Sequence, residues 1–252
     1  MIDLLRPELT VEPRPKDPET SRYVRSYLIM RVFVGALGVA LPFLVVLVDG
    51  LAFDGDPFPR TSLSAYYYSG ARELFVGTLS ATAIFLVTYK VADRTLDNTL
   101  STLAGVAVLV VALFPTGLPP DVTELTPLQD LVGESVVEVV HFGAAAVFIV
   151  SLAAISFTFG VREGTRPPRD GARSPAFWRR YHWACAGAIA VALVWIVVTE
   201  LFGGPPNSLL YGEAVSVWAF GASWLMKGLE LDILRASKPS PRPPGDGTAS
   251  QP

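Results

Sequence analysis

The ionisable side chains that fall at the edges of this chain's apolar stretches are few, and their spacing limits the chemistry open to it. Glu138 and His141 stand at the Glu-x-x-His spacing by which helical bundles present a carboxylate and an imidazole to one metal ion. With Glu134 they follow an i, i+4, i+7 pattern that places all three on one helix face. Glu200 ends one apolar stretch and Glu213 begins the next, so their carboxylates can join that pair where the helices converge. A Zn²⁺ or other divalent ion held by Glu138, His141 and Glu213, with a further carboxylate as general base, would be the machinery of a metal-dependent lipid hydrolase. The alternative is a hydrogen-bonded histidine–carboxylate network that holds no metal. No other cofactor is implied, because no His-Glu-x-x-His, Gly-x-Ser-x-Gly, phosphate-loop or dinucleotide motif occurs.

Other polar residues cluster near the same end of the molecule. Glu73 and Glu213 open apolar stretches, where a helix dipole favours a carboxylate in any case. Glu200 sits at the opposite pole of its helix, where a carboxylate needs a cation, and Arg72 is one of two on that side. The segment 61–73, TSLSAYYYSGARE, places three tyrosines in a row. They form either an aromatic girdle at headgroup level or a lid of hydroxyls that could hold a lipid headgroup or a sugar. The expected pocket is lined by Tyr66, Tyr67, Arg72, Glu73, Glu138, His141, Glu200 and Glu213, with Arg72 balancing Glu73 or Glu200 and His141 bonded to Glu138 or Glu213. Glu213, Ser216, Phe220, Ser223 and Lys227 form a stripe on one helix face. His182, beside Trp178, Tyr181 and Trp183, is expected in the interfacial aromatic belt, too far from Glu200 to share a site.

The elements that must position these groups follow from composition. Of 252 residues 51% are hydrophobic and 17% charged, where soluble proteins carry about 25% charge; the mean hydropathy is +0.43. The apolar residues fall into blocks at 28–48, 74–89, 100–114, 136–159, 183–202 and 209–226. Blocks of this kind cross a bilayer as helices, because only a helix satisfies its own backbone in lipid. The expected fold is therefore an all-α bundle of six transmembrane helices, a multi-pass protein of the cytoplasmic membrane. Residues 27–232 form its membrane domain, between unstructured tails at 1–26 and 233–252 that are rich in proline or small polar residues. Some 26 polar residues precede the first block, which is expected as an uncleaved anchor. The single cysteine, Cys185, excludes an intramolecular disulfide.

Of the 20 cations, 18 lie on one side of this six-span arrangement and only Arg60 and Arg72 on the other, which places both termini in the cytoplasm. The overall charge of −3 thus divides into about +6 on the cytoplasmic side and −9 on the outer side. The acidic outer face favours a cationic or metal-bridged ligand. The loop 161–181 carries Arg162, Arg166, Arg169, Arg173, Arg179 and Arg180, either a topology determinant alone or a patch for anionic lipid. The lipid bilayer and a lipid or small amphiphile are the expected partners. No nucleic-acid partner is expected.

Several ordered motifs carry a resemblance. Ser62-Leu-Ser-Ala-Tyr-Tyr-Tyr, Arg72-Glu-Leu-Phe-Val-Gly77, Asp97-Asn98, Val111-Ala-Leu-Phe-Pro-Thr116, His141-Phe and Phe220-Gly-Ala-Ser-Trp-Leu-Met-Lys-Gly228 together resemble a family of bacterial six-span integral membrane proteins. In that family the arginine is usually followed by aspartate, and here Glu73 keeps the charge. The resemblance implies fold and membrane location; the family has no settled biochemical activity to carry over. A looser similarity exists to the alkaline ceramidase-type membrane superfamily, whose three-histidine zinc set is missing because the chain has only His141 and His182. The expected role is non-catalytic: binding, sensing or moving a small amphiphile or ion through an outward-facing polar pocket, or supporting the cell envelope. The alternatives are the metal-dependent hydrolase and a secondary transporter.

Overall fold

In the computed structural model, which describes residues 18–52, 59–89, 96–120, 122–165 and 174–230, the regular elements are all helical and no strand occurs among the described residues. They are α1 (Pro18–Ala52), α2 (Arg72–Thr88), α3 (Leu96–Leu113), α4 (Pro127–Val132), α5 (Glu134–Gly164), α6 (Pro175–Phe202) and α7 (Ser208–Glu230). One 3-10 turn, Ser64–Tyr68, lies between α1 and α2. Four helical stretches are long and apolar enough to cross a membrane: Ile29–Leu51 within α1, then α3, α5 and α6. This is the make-up of a multi-pass membrane protein. The remaining two apolar blocks fall on α2, which has only 17 residues, and on α7, where glycine, serine, Glu213 and Lys227 interrupt the apolar residues.

Helix boundaries depart from the apolar blocks where polar residues can still cap or extend a turn. α1 begins at Pro18, so part of the tail expected at 1–26 is helical; 1–17 and 231–252 lie outside the described residues. α6 begins at Pro175 because Ser174 Oγ accepts the Phe177 N–H at 3.3 Å and proline suits the first helical turn. The second part of the arginine-rich loop is therefore helix, while Arg166, Arg169 and Arg173 lie outside the described residues.

Helices adjacent in sequence pack together: α2 on α3, α3 on α5, α5 on α6, α6 on α7. α7 then returns to α1, and a thinner α1–α2 contact completes a ring. Small residues allow the return crossing. A Cβ on Gly221 of α7 would lie 3.0 Å from the Gly35 carbonyl oxygen of α1, closer than an alanine tolerates without a shift. Trp218 Nε1 donates across the same crossing to the Val39 carbonyl at 3.0 Å.

Two apolar layers fill the ring. One gathers Leu41, Val45, Tyr66, Tyr67, Phe75 and Val111; the other gathers Leu86, Tyr89, Leu152, Phe159, Phe220 and Trp224. We refer to their ends of the bundle as the tyrosine end and the arginine end. Large apolar side chains such as Phe33, Phe43, Leu109, Val139, Val191 and Leu201 instead stand exposed around the outside, as a lipid-facing surface requires.

The arginine end buries ion pairs. Arg162 Nη1 lies 3.1 Å from Asp97, and Lys227 pairs with Glu163. Arg162 thus has a carboxylate of the bundle as its partner, although the sequence places it with an anionic-lipid patch. Arg179 packs over the Trp183 ring at 5.4 Å, and Arg180 is exposed. His182 is not in an interfacial belt: it is 0% exposed, with Nδ1 2.8 Å from Ser223 Oγ of α7. The stripe on α7 that supplies this serine is what draws the imidazole inward.

Candidate functional site

At the tyrosine end, the segment between α1 and α2 folds back into the ring instead of lying on its rim. Ser62 Oγ accepts the Ala65 N–H at 2.9 Å and starts the 3-10 turn. Ser69 Oγ donates to the Tyr66 carbonyl at 2.8 Å and accepts the Ala71 N–H at 3.0 Å, closing it. Three successive tyrosines cannot share one α-helical face, but the tighter turn sends them to three different partners. Tyr66, 1% exposed, accepts the Arg60 N–H at 3.3 Å. Tyr67 accepts from Arg72 Nη2 at 2.7 Å, with that guanidinium 4.3 Å from the ring centre. Tyr68 donates to the Thr116 carbonyl at 2.7 Å and accepts from Gln129 Nε2 at 2.8 Å.

Helices α1, α7 and α4 fasten this turn. Asp49, at the end of α1, accepts from Arg60 Nε at 2.8 Å and from the Gly70 N–H at 3.2 Å. On α7, Glu213 accepts the Leu63 N–H at 2.6 Å and lies 3.5 Å from Ser64 Oγ, while the Leu210 N–H donates to the Thr61 carbonyl at 3.0 Å. α4 holds Gln129 in place through a capping box with Thr126, and Gly133, at φ +92°, makes the corner into α5 that a side chain would strain.

Burial pushes the phenols of Tyr66 and Tyr68 above their ordinary value of 10.0, so both remain protonated, and Tyr68 keeps the hydrogen that it donates to Thr116. Tyr68→Phe, which removes both of its hydrogen bonds, is expected to cost about 1–2 kcal/mol, read as a fall in thermal midpoint of about 2–6 °C. The sign of the pH effect follows from the raised value. The unfolded chain releases this proton first, so stability is intact below about pH 10 and declines above it. That alkaline decline is expected to be shallower in Tyr68→Phe.

Above the turn lies an open cleft of about 970 Å³. Asp49, Arg60, Thr116, Glu138, Glu200 and Ser208 supply its polar lining, and Leu118, Phe142 and Leu209 its apolar one. Glu138 packs against Gly117: a Cβ there would stand 2.6 Å from the Glu138 Oε1. Beneath, on the far side of Leu63 and Ser64, a second cavity of about 50 Å³ is lined by Phe75, Val111, Phe148, Glu213 and Val217. It has room for one or two waters.

The expected pocket residues therefore separate into groups. Glu138 and Glu200 both line the open cleft. Glu213 lines the lower cavity, and Tyr66 and Tyr67 are core side chains behind the cleft wall. Arg72 turns to Tyr67 and balances neither Glu73 nor Glu200; Glu73 is exposed on the first turn of α2 and lines neither cavity. His141 Nδ1 lies 2.6 Å from the Phe114 carbonyl oxygen, and since a carbonyl only accepts, that nitrogen carries the proton. Its partner is thus backbone of α3's end and neither Glu138 nor Glu213. Among the described residues no three His, Cys, Asp or Glu side chains come together as metal ligands, so Glu138, His141 and Glu213 do not form the ion site that their spacing suggests.

Asp49 and Arg60 are the charged cleft residues that the sequence reading left out of the expected pocket. The signal was present, since Asp49 terminates an apolar block and Arg60 is one of the two cations on that side. No protein-family model matches this chain, and no curated protein or solved structure matches it.

Proposed function

We propose that the chain is a six-span protein of the cytoplasmic membrane, with both termini in the cytoplasm, that binds a small cationic amphiphile in an outward-facing cleft. The cleft carries this reading: about 970 Å³ of open space in which Arg60 is committed to Asp49, with Glu138 and Glu200 facing the same volume. Two carboxylates beside Phe142, Leu118 and Leu209 suit a ligand with an ammonium head and a short apolar body. The distribution of 18 of the 20 cations to the opposite side supports the orientation.

Two measurements test the proposal. Alkaline phosphatase fused at Glu124 should be active, and an inactive fusion would reverse the topology. Detergent-purified protein should bind dodecyltrimethylammonium more tightly than a neutral amphiphile of the same chain length. Glu138→Gln and Glu200→Gln are each expected to weaken that binding about 2- to 5-fold, the scale of one partly exposed charge pair. Equal affinity for the charged and neutral amphiphiles, or a double variant that binds like the parent, would exclude a cationic ligand.

A further inference from the structure

Among the described residues, the buried charges of the arginine end do not balance. Arg162 is met by Asp97 and Lys227 by Glu163, whereas Arg31 of α1 makes no ion pair with any described carboxylate. Arg31 is only 3% exposed. Its guanidinium carbon lies 5.4, 5.3 and 5.1 Å from the ring centres of Tyr89, Phe159 and Trp224. Those ring faces attract a positive charge but offer no acceptor in the plane of the N–H groups, and Arg31 Nε and Nη2 have no hydrogen-bond partner.

Further donors without partners surround the same cage. Trp224 Nε1 and His182 Nε2 are both buried without a hydrogen bond. His182 packs on Phe159 at 5.8 Å between ring centres, Trp224 on Phe159 at 5.5 Å and on Tyr89 at 4.9 Å. His182 Nδ1 lies 2.8 Å from Ser223 Oγ, and in the tautomer in which that hydroxyl donates to Nδ1 the imidazole hydrogen sits on Nε2 and makes it a donor. Asp97 Oδ1 is an unpartnered acceptor, but its charge already answers Arg162. An uncompensated buried cation among unsatisfied donors is strongly unfavourable without a counter-charge.

We propose that a compact monovalent anion of the halide class binds in this cage, held by Arg31, His182 and Trp224. Such an ion removes the excess charge and ties α1, α6 and α7 together at one point. The site is independent of the cleft and of its ligand.

The full chain, purified in detergent, is unfolded thermally in sodium gluconate with increasing replacement by sodium chloride or bromide at constant ionic strength. The midpoint is expected to rise saturably, by about 3–5 °C once the halide exceeds its Kd about tenfold. Arg31→Gln should abolish the rise. Trp224→Phe keeps the ring and loses one donor, and should weaken the halide at least tenfold; it serves if Arg31→Gln does not fold. A midpoint indifferent to the anion, or a halide response retained in Trp224→Phe and in a folded Arg31→Gln, overturns the proposal.

Discussion

Glu163→Ala is expected to be the most damaging single substitution in the bundle, lowering the thermal midpoint of detergent-purified protein by about 10–15 °C. Glu163 lies in the last turn of α5, where the helix dipole already disfavours a carboxylate, and it is buried against Lys227. Removing one member of a buried pair strands the other charge away from water, at a cost of about 3–5 kcal/mol. Lys227 sits at the end of α7, where the dipole favours a cation, and its ammonium also lies 5.7 Å from the centre of the Phe159 ring, a contact weaker than a buried ion pair. Removing both charges together, in Glu163→Leu/Lys227→Met, strands neither. The double variant is therefore expected to melt above either single variant, and purely additive losses would show that the two charges are not coupled.

Glu213→Ala is expected to release the tyrosine turn. The lost interactions are the 2.6 Å bond from the Leu63 N–H and the longer one from Ser64, and a typical intramolecular hydrogen bond contributes about 0.5–1.5 kcal/mol. Hydrogen exchange of the amides in 61–71 should accelerate well beyond that of the helices. Glu213→Gln keeps an acceptor oxygen for the Leu63 N–H and should retain most of the protection. If both variants exchange like the parent, the turn is held by Asp49 and Tyr68 alone. The outcome also separates Glu213 from Glu138 and Glu200, whose substitution should alter binding in the cleft and leave the turn protected.

Apolar blocks made the helices legible, because each long run of Val, Leu, Ala and Phe leaves the backbone no solution in lipid other than a helix. Side-chain partners were harder to foresee. The spacing of Glu138 and His141 does put them on one helix, but spacing cannot say that the Phe114 carbonyl, at the fraying end of α3, takes the imidazole hydrogen first. His182 stands among aromatic residues in sequence and reads as interfacial. Its burial depends on Ser223, 41 residues away, across a helix crossing that the sequence does not display. The three tyrosines misled for the opposite reason: side chains fit for a headgroup girdle are drawn inward because the Ser62 and Ser69 hydroxyls tighten their backbone into a turn. Glu138 and Glu200 were recognisable because both end up near the edge of an apolar block, where a carboxylate reaches water without leaving its helix.

The ring described above has an order of construction written into it. Apart from a small α5–α7 contact, the packing from α2 through α7 joins long helices that follow one another in the chain, so hairpins can pair as they emerge from synthesis, with little search. The return of α7 to α1 is different, since it joins the first helix made to the last. The Leu63 and Thr61 contacts to Glu213 and Leu210 span about 150 residues and exist only after that return. Until the last helix arrives, the tyrosine turn lacks its Glu213 and Leu210 fastening and the cleft its Ser208 and Leu209 wall. The cleft is therefore the final part of the molecule to be completed, and a nascent chain stalled before α7 would lack the side of it that Ser208 and Leu209 supply.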